Sequence, residues 1–263
     1  MSEVVIVEHD TETGVARIVL NKPQVLNAVD VAMAQAIAAA VDDVADAKGV
    51  RAIVIAAAGR AFVAGGDIAA FGSDPSRSAE VVDAILDAMH PAILGLREQD
   101  APVIAAVRGA AAGAGLSLVL AADLVVAEEG AKFVVAYDRL GVSPDCGGTW
   151  FLPRKVGAAL AAEMMLLGRT LDAAEAKEAG IVNVVAPQDG LDAAAAELAG
   201  RVARGATRAF GHFRRLADAA LSTPLADHLE AERASFIAST GTADFREGVS
   251  AFLGKRKASF RGE

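Results

Sequence analysis

Residues 103–123 constrain this chain more than any other stretch. They set a buried strand, a run of glycines and alanines, and a buried helix end to end. Behind Pro102, Val103-Ile104-Ala105-Ala106-Val107 is short, apolar and rich in β-branched residues, the pattern of a strand covered on both faces. Residues 116–122 are apolar on nearly every side, as in a helix buried all round. Between them stand Gly109, Gly113 and Gly115 among alanines. Such a junction lets another group approach the backbone closely. The helix also begins with free N–H groups and the positive end of its dipole, which suits negative charge developing on an oxygen. The same residues would serve tight packing of a helix on a sheet, and this stretch alone does not separate the two.

The flanking sequence predicts alternating strands and helices. Residues 4–8 and 15–20 read as a hairpin. A helix over 31–47 follows, capped by Asn27 or Asp30. Residues 50–55 read as a strand, and 79–97 as a helix that Pro91 should kink or interrupt. Strands are expected at 123–127, 132–135 and 181–185, and a helix at 156–167 with Gly157 inside it. A short helix capped by Asp172 precedes Gly180. From residue 191 onward only helices are expected. The division is therefore an α/β core over 1–190 and a helical region over 191–263. The alanine-rich helices of that region form readily but bury little surface, so they should lean on neighbouring subunits.

Composition excludes several classes. The chain has 263 residues and a formal net charge of -9, which disfavours a nucleic-acid partner. Cys146 is its one cysteine, so no intrachain disulfide is possible and a cytoplasmic setting is expected. The N-terminal residues do not read as a signal peptide. Gly, Asp and Arg interrupt every apolar run before it could span a membrane. No metal-ligand spacing appears. Residues 109–115 lack the Gly-x-Gly-x-x-Gly pattern of a nicotinamide or flavin site.

A second small-residue loop follows the strand at 50–55: Gly59-Arg60-Ala61-Phe62-Val63-Ala64-Gly65-Gly66-Asp67-Ile68. Paired glycines can present amides in a nest. One donor from here and one from Ala114 would make an oxyanion hole if the two loops met. Spacing alone does not bring them together.

The ordered blocks around Leu26-Asn27-Ala28, Arg60 to Ile68, Ile104 to Gly115, Gly147-Gly148-Thr149, Ala176 to Val182 and Glu247 to Arg256 resemble the crotonase, or enoyl-CoA hydratase/isomerase, superfamily. The resemblance covers essentially the whole chain. It implies an α/β spiral of ββα units holding the CoA and acyl site, followed by a helical trimerisation region. It also implies homotrimers or hexamers, an acyl-CoA thioester as substrate, and no cofactor beyond the CoA moiety. Carried over residue by residue, the oxyanion donors are the amides of Gly66 and Ala114, the latter in place of a common glycine. Backbone near Ala64, Asp67 and Ile68 would face the adenine. Lys22 and Val25 would lie near the CoA phosphates and pantetheine arm, with Lys257 reaching in from a neighbour.

The resemblance also bears on the chemistry. Hydratases of this superfamily use two glutamates, and the matching positions here are Ser117 and Tyr137. Ser117 is expected to bond within its helix. Asp145, in Pro144-Asp145-Cys146-Gly147-Gly148-Thr149-Trp150, is the remaining carboxylate. Spacing alone reads it as a turn residue. Dienoyl-CoA isomerases and 1,2-epoxyphenylacetyl-CoA isomerases carry an aspartate at the matching position, and the run from Pro144 to Arg154 resembles the latter group. The expectation is therefore an isomerase that shifts a double bond or rearranges a ring through an enolate, with Asp145 as acid and base. The alternatives are an enoyl-CoA hydratase or a non-catalytic thioester-binding homologue. Asp67 should fix its own loop, Asp123 should orient the following strand, and Cys146 should be a small buried residue.

Overall fold

In the computed structural model, residues 3–72 and 74–263 are described, Phe71 by its backbone alone. A hairpin of β1 (Val5–Asp10) and β2 (Val15–Leu20) opens the chain. Helix α1 (Val31–Asp46) leads into β3 (Ala52–Ala57), and the short α2 (Ile68–Gly72) into α3 (Ser78–Glu98). Then come β4 (Val103–Val107), β5 (Ala110–Ala112), α4 (Ala114–Ala121), β6 (Leu124–Glu128) and β7 (Lys132–Val134). Helices α5 (Gly148–Val156) and α6 (Ala158–Leu166) precede β8 (Leu171–Asp172), α7 (Ala173–Glu178) and β9 (Val184–Ala186). Four helices finish the chain: α8 (Leu191–Ala203), α9 (Thr207–Ala219), α10 (Leu225–Thr240) and α11 (Ala243–Leu253).

The main sheet runs β1-β2-β3-β4-β6-β9, parallel after the first hairpin. A second sheet, β5-β7-β8, stands apart from it. Alternate residues of a strand face opposite sides, and both sides of the central strands are covered. Ile53, Ile55, Val103, Ala105 and Val107 face a large core shared with α1, α3 and α4. Ala52, Val54, Ala56, Ile104 and Ala106 face Leu191, Ala195, Ala199 and Ala203 of α8. The first helix of the all-helical stretch therefore closes the second face of the sheet. Burying an Ile or Leu is worth about 1.5–3 kcal/mol and each alanine far less, so the first core carries most of the stabilisation.

Local signals explain most boundaries. Asp30, rather than Asn27, caps α1 by accepting from the Met33 amide at 2.8 Å. Asp172 and Glu175 form a reciprocal capping box on α7. Other positions differ from the sequence expectation, among them the strand expected at 181–185, which is Val184–Ala186. Gly157 does not lie inside a helix: at φ +79° and ψ 162° it separates α5 from α6, a conformation open to glycine. Pro91 does not interrupt α3, because Ile85, Met89, Ala92, Ile93 and Leu96 bury one continuous face across it.

A charge cluster around buried Arg214 ties α9 to the core. The Arg97 guanidinium bridges Asp123, at 2.9 Å, and Asp218, at 2.8 Å. Arg214 lies 3.0 Å from Asp123 and donates to the carbonyls of Leu96 and Ala101. Asp123 also accepts the Val103 amide at 2.7 Å, so the strand it holds directly is β4 and not, as expected, the β6 that follows it. The chain's last residues fold back, with Arg261 and Gly262 amides donating to Asp244.

Candidate functional site

The two small-residue loops meet. Val63 forms a parallel bridge with Ala111: its amide donates to Ala110 at 3.0 Å and its carbonyl accepts from Ala112 at 2.8 Å. A Cβ on Gly115 would lie 2.4 Å from Val63 Cβ, so the start of α4 fits this loop only as glycine. Gly113, at φ +53°, donates to Val134 and passes Gly65 closely. On the other side Val29 bridges Gly66, accepting from Asp67 and donating to Gly65. That pairing turns the Gly66 amide away from Val29. Among the described residues, neither the Gly66 nor the Ala114 amide has a hydrogen-bond acceptor.

Both amides line one cavity of about 580 Å³. Its walls include Ala64 and Ile68 from one loop, Val82, Ile85 and Leu86 from α3, and Tyr137, Leu140, Val142, Asp145 and Cys146 from the segments after β7. Asp145 is the one carboxylate in this lining. Its carbonyl accepts from the Gly148 amide at 2.9 Å and from Ser117 Oγ at 3.0 Å. Ser117 therefore bonds across to the Asp145 loop rather than within its own helix. Tyr137 Oη donates to Asp145 Oδ1 at 2.5 Å. Burial, then the Asp145 charge, raises the Tyr137 pKa well above its ordinary range, so the phenol stays protonated. Burial and the same charge push the Cys146 thiol up likewise. Cys146 is buried and holds φ +51°. It also lines a second cavity, of about 440 Å³, beside His90, Arg97 and Trp150.

The other residues singled out in the sequence lie outside the cavity lining. Asp67 accepts the Ala70 amide at 3.1 Å and so fixes its own turn. The Lys22 ammonium is held by Asp30 at 2.6 Å, and Val25 is exposed. Lys257 is exposed beyond α11. One residue, read from the sequence only as a candidate helix cap, has a different structural role. Asn27 is wholly buried at φ +55°. Its Oδ1 accepts from the Lys22 amide, and its Nδ2 donates to Ala58 and Ala61, pinning the Gly66 loop from below. An Asn ahead of a Gly-rich loop was the available signal, since Asn tolerates the left-handed region. Among the described residues, no three His, Cys, Asp or Glu side chains are grouped to share a metal ion. No helix there is long and apolar enough to cross a membrane.

A mixed sheet whose loops surround a cavity lined by Gly66, Ala114 and one carboxylate, Asp145, defines an α/β protein with a built pocket at its loop ends. The family model for enoyl-CoA hydratase/isomerase matches residues 10–263. The chain belongs to that family, the crotonase superfamily, and has its α/β fold with a helical C-terminal region. A protein of Rhodobacter capsulatus named "probable enoyl-CoA hydratase" is 38% identical, covering 97% of this chain and 98% of its own length. The 1,2-epoxyphenylacetyl-CoA isomerase of Escherichia coli is also 38% identical, covering 96% and 97%. The crystal structure of an enoyl-CoA hydratase from Polaromonas superposes with a TM-score of 0.91 at 33% identity, covering 98% of this chain and 99% of that one.

Proposed function

We propose that this chain is an acyl-CoA isomerase that shifts a double bond, or rearranges a ring, through a thioester enolate. The observation that carries the reading is the single carboxylate, Asp145, in a cavity that also presents the Gly66 and Ala114 amides. Asp145 takes a proton from the α-carbon of a β,γ-enoyl thioester. The C–H electron pair passes into the enolate, whose oxygen is held by the two amides. The same carboxyl group returns the proton to the γ-carbon, and the electrons settle as an α,β double bond. One acid–base group suffices and the oxidation level is unchanged, so this reading calls for no cofactor beyond the CoA moiety. Ala64, Asp67, Ile68 and Val25 would flank the CoA. An ammonium has three donors, so Lys22 can meet a phosphate while keeping Asp30. Lys257 would come from a neighbouring subunit of a trimer or hexamer.

Hydration is the second reading, and the names of the relatives back it better. They include the protein of R. capsulatus and a 2,3-dehydroadipyl-CoA hydratase of E. coli, 33% identical over the full length of both chains. Here Asp145 would activate water instead. Incubation with β,γ-enoyl-CoA and with crotonyl-CoA separates the readings by product mass. Asp145→Asn should lower isomerisation by a factor of roughly 10²–10⁴ with little change in affinity. Near wild-type turnover in that variant, or water addition as the main activity, would overturn the isomerase reading.

A further inference from the structure

We propose that Tyr137 is a positioning residue. Its hydroxyl holds one carboxylate oxygen of Asp145 and leaves the other to address the substrate carbon. This rests on Asp145 as the acid–base group. The Oη to Oδ1 hydrogen bond of 2.5 Å is the most direct observation. Ala136, just before Tyr137, sits at φ +67°, where a residue with a Cβ is strained. The phenol lies close over Gly113, where an added Cβ would meet it at 3.8 Å, an ordinary packing distance. The Asp145 main chain is pinned separately, by Ser117 Oγ and the Gly148 amide. With carbonyl and Oδ1 both held, the carboxyl cannot turn over between taking a proton and giving it back. A shuttle between two carbons requires that constancy.

Tyr137 is the chain's single tyrosine, so tyrosinate absorbance reads this residue alone. In the native protein no tyrosinate should appear near pH 10, the ordinary value for a phenol. In Asp145→Asn ionisation should begin at lower pH than in the native protein, with the Cys146 thiol the other titratable group beside it. This titration needs no substrate and does not depend on which reaction is catalysed. An ordinary titration unchanged by Asp145→Asn would overturn the pairing. Tyr137→Phe keeps the ring and the cavity shape. On α-deuterated β,γ-enoyl-CoA it should lower kcat about 10- to 100-fold, leave KM within about twofold, and reduce the fraction of label delivered to the γ-carbon. Wild-type kcat and label transfer in Tyr137→Phe, with Asp145→Asn inactive, would overturn the positioning role while leaving Asp145 in place. A loss confined to KM would make Tyr137 a wall of the cavity and would also overturn it. Full activity in Asp145→Asn would instead remove the acid–base reading, and this proposal with it.

Discussion

The spiral core and the last three helices are built on opposite terms. In the core, loops distant in sequence are stitched by backbone bridges, and Phe62 and Phe133 are wholly buried. In α10 no residue is buried, and Phe236 is 70% and Phe252 of α11 84% exposed. Yet α9 is anchored to the core by buried Arg214 and its half-buried partners Arg97 and Asp123. The core lines the Asp145 cavity with its own residues, whereas the terminal helices are fixed in place while their apolar faces remain uncovered. Order in this chain therefore comes from two sources, specific polar pinning and apolar burial, and only the core has both in full.

The largest effect should follow from removing the pin beneath the Gly66 loop. Asn27→Ala leaves the Ala58 and Ala61 carbonyls and the Lys22 amide without their partner, in a wholly buried place. At about 1–3 kcal/mol for each buried group left unsatisfied, partly relieved by water, the loss should be about 3 kcal/mol. Urea unfolding at equilibrium measures it. A loss below about 1 kcal/mol would show that the core does not depend on this pin.

Much of this architecture was legible beforehand, and the failures share a cause. The hairpin, the Asp30 and Asp172 caps, the buried strand at 103–107 and the all-helical end follow from period and capping, which are local signals. That the loops of Gly66 and Ala114 could approach closely was readable from their small residues, while the pairing of these two positions and of Asp145 came from the superfamily resemblance. The Val63–Ala111 bridge, the separate β5-β7-β8 sheet and the Tyr137–Asp145 contact join residues far apart in sequence or set apart by irregular loops. No periodicity records such contacts. Ser117 failed for the same reason: its partner is the Asp145 carbonyl, 28 residues away. Pro91, expected to kink or interrupt its helix, does not interrupt it, because a buried face outweighs a single lost N–H.

A smaller effect should come from prying the two loops apart. In Gly115→Ala the new Cβ would sit 2.4 Å from Val63 Cβ and 2.9 Å from its carbonyl oxygen, so α4 or the Val63 segment must shift. Overpacking of this kind costs about 1–3 kcal/mol. Because Val63 lies three residues from Gly66, the shift should also separate the oxyanion donors. Turnover should then fall by more than the stability loss predicts, with folded protein confirmed by circular dichroism. Unchanged turnover in a destabilised but folded variant would show that the bridge holds the fold without setting the site.

The smallest effect should be at Phe236, and its form matters more than its size. A side chain already 70% exposed gives up little on replacement, and surface changes away from special features stay within about ±0.5 kcal/mol. Phe236→Ser should therefore leave the unfolding midpoint of dilute protein nearly unmoved, where Asn27→Ala lowers it at every concentration. If the terminal helices cover their apolar faces with second copies of the chain, the native protein should gain stability as concentration rises, by mass action. Phe236→Ser should blunt that gain and shift the sedimenting species toward monomer. A core substitution shifts the midpoint by a constant amount, because its contacts lie within one chain. A native protein that sediments as a monomer at micromolar concentration would mean that these faces are not joined to one another. A concentration dependence that Phe236→Ser leaves intact would place the subunit contact elsewhere, with the exposed Phe252 and Leu253 of α11 the next residues to replace.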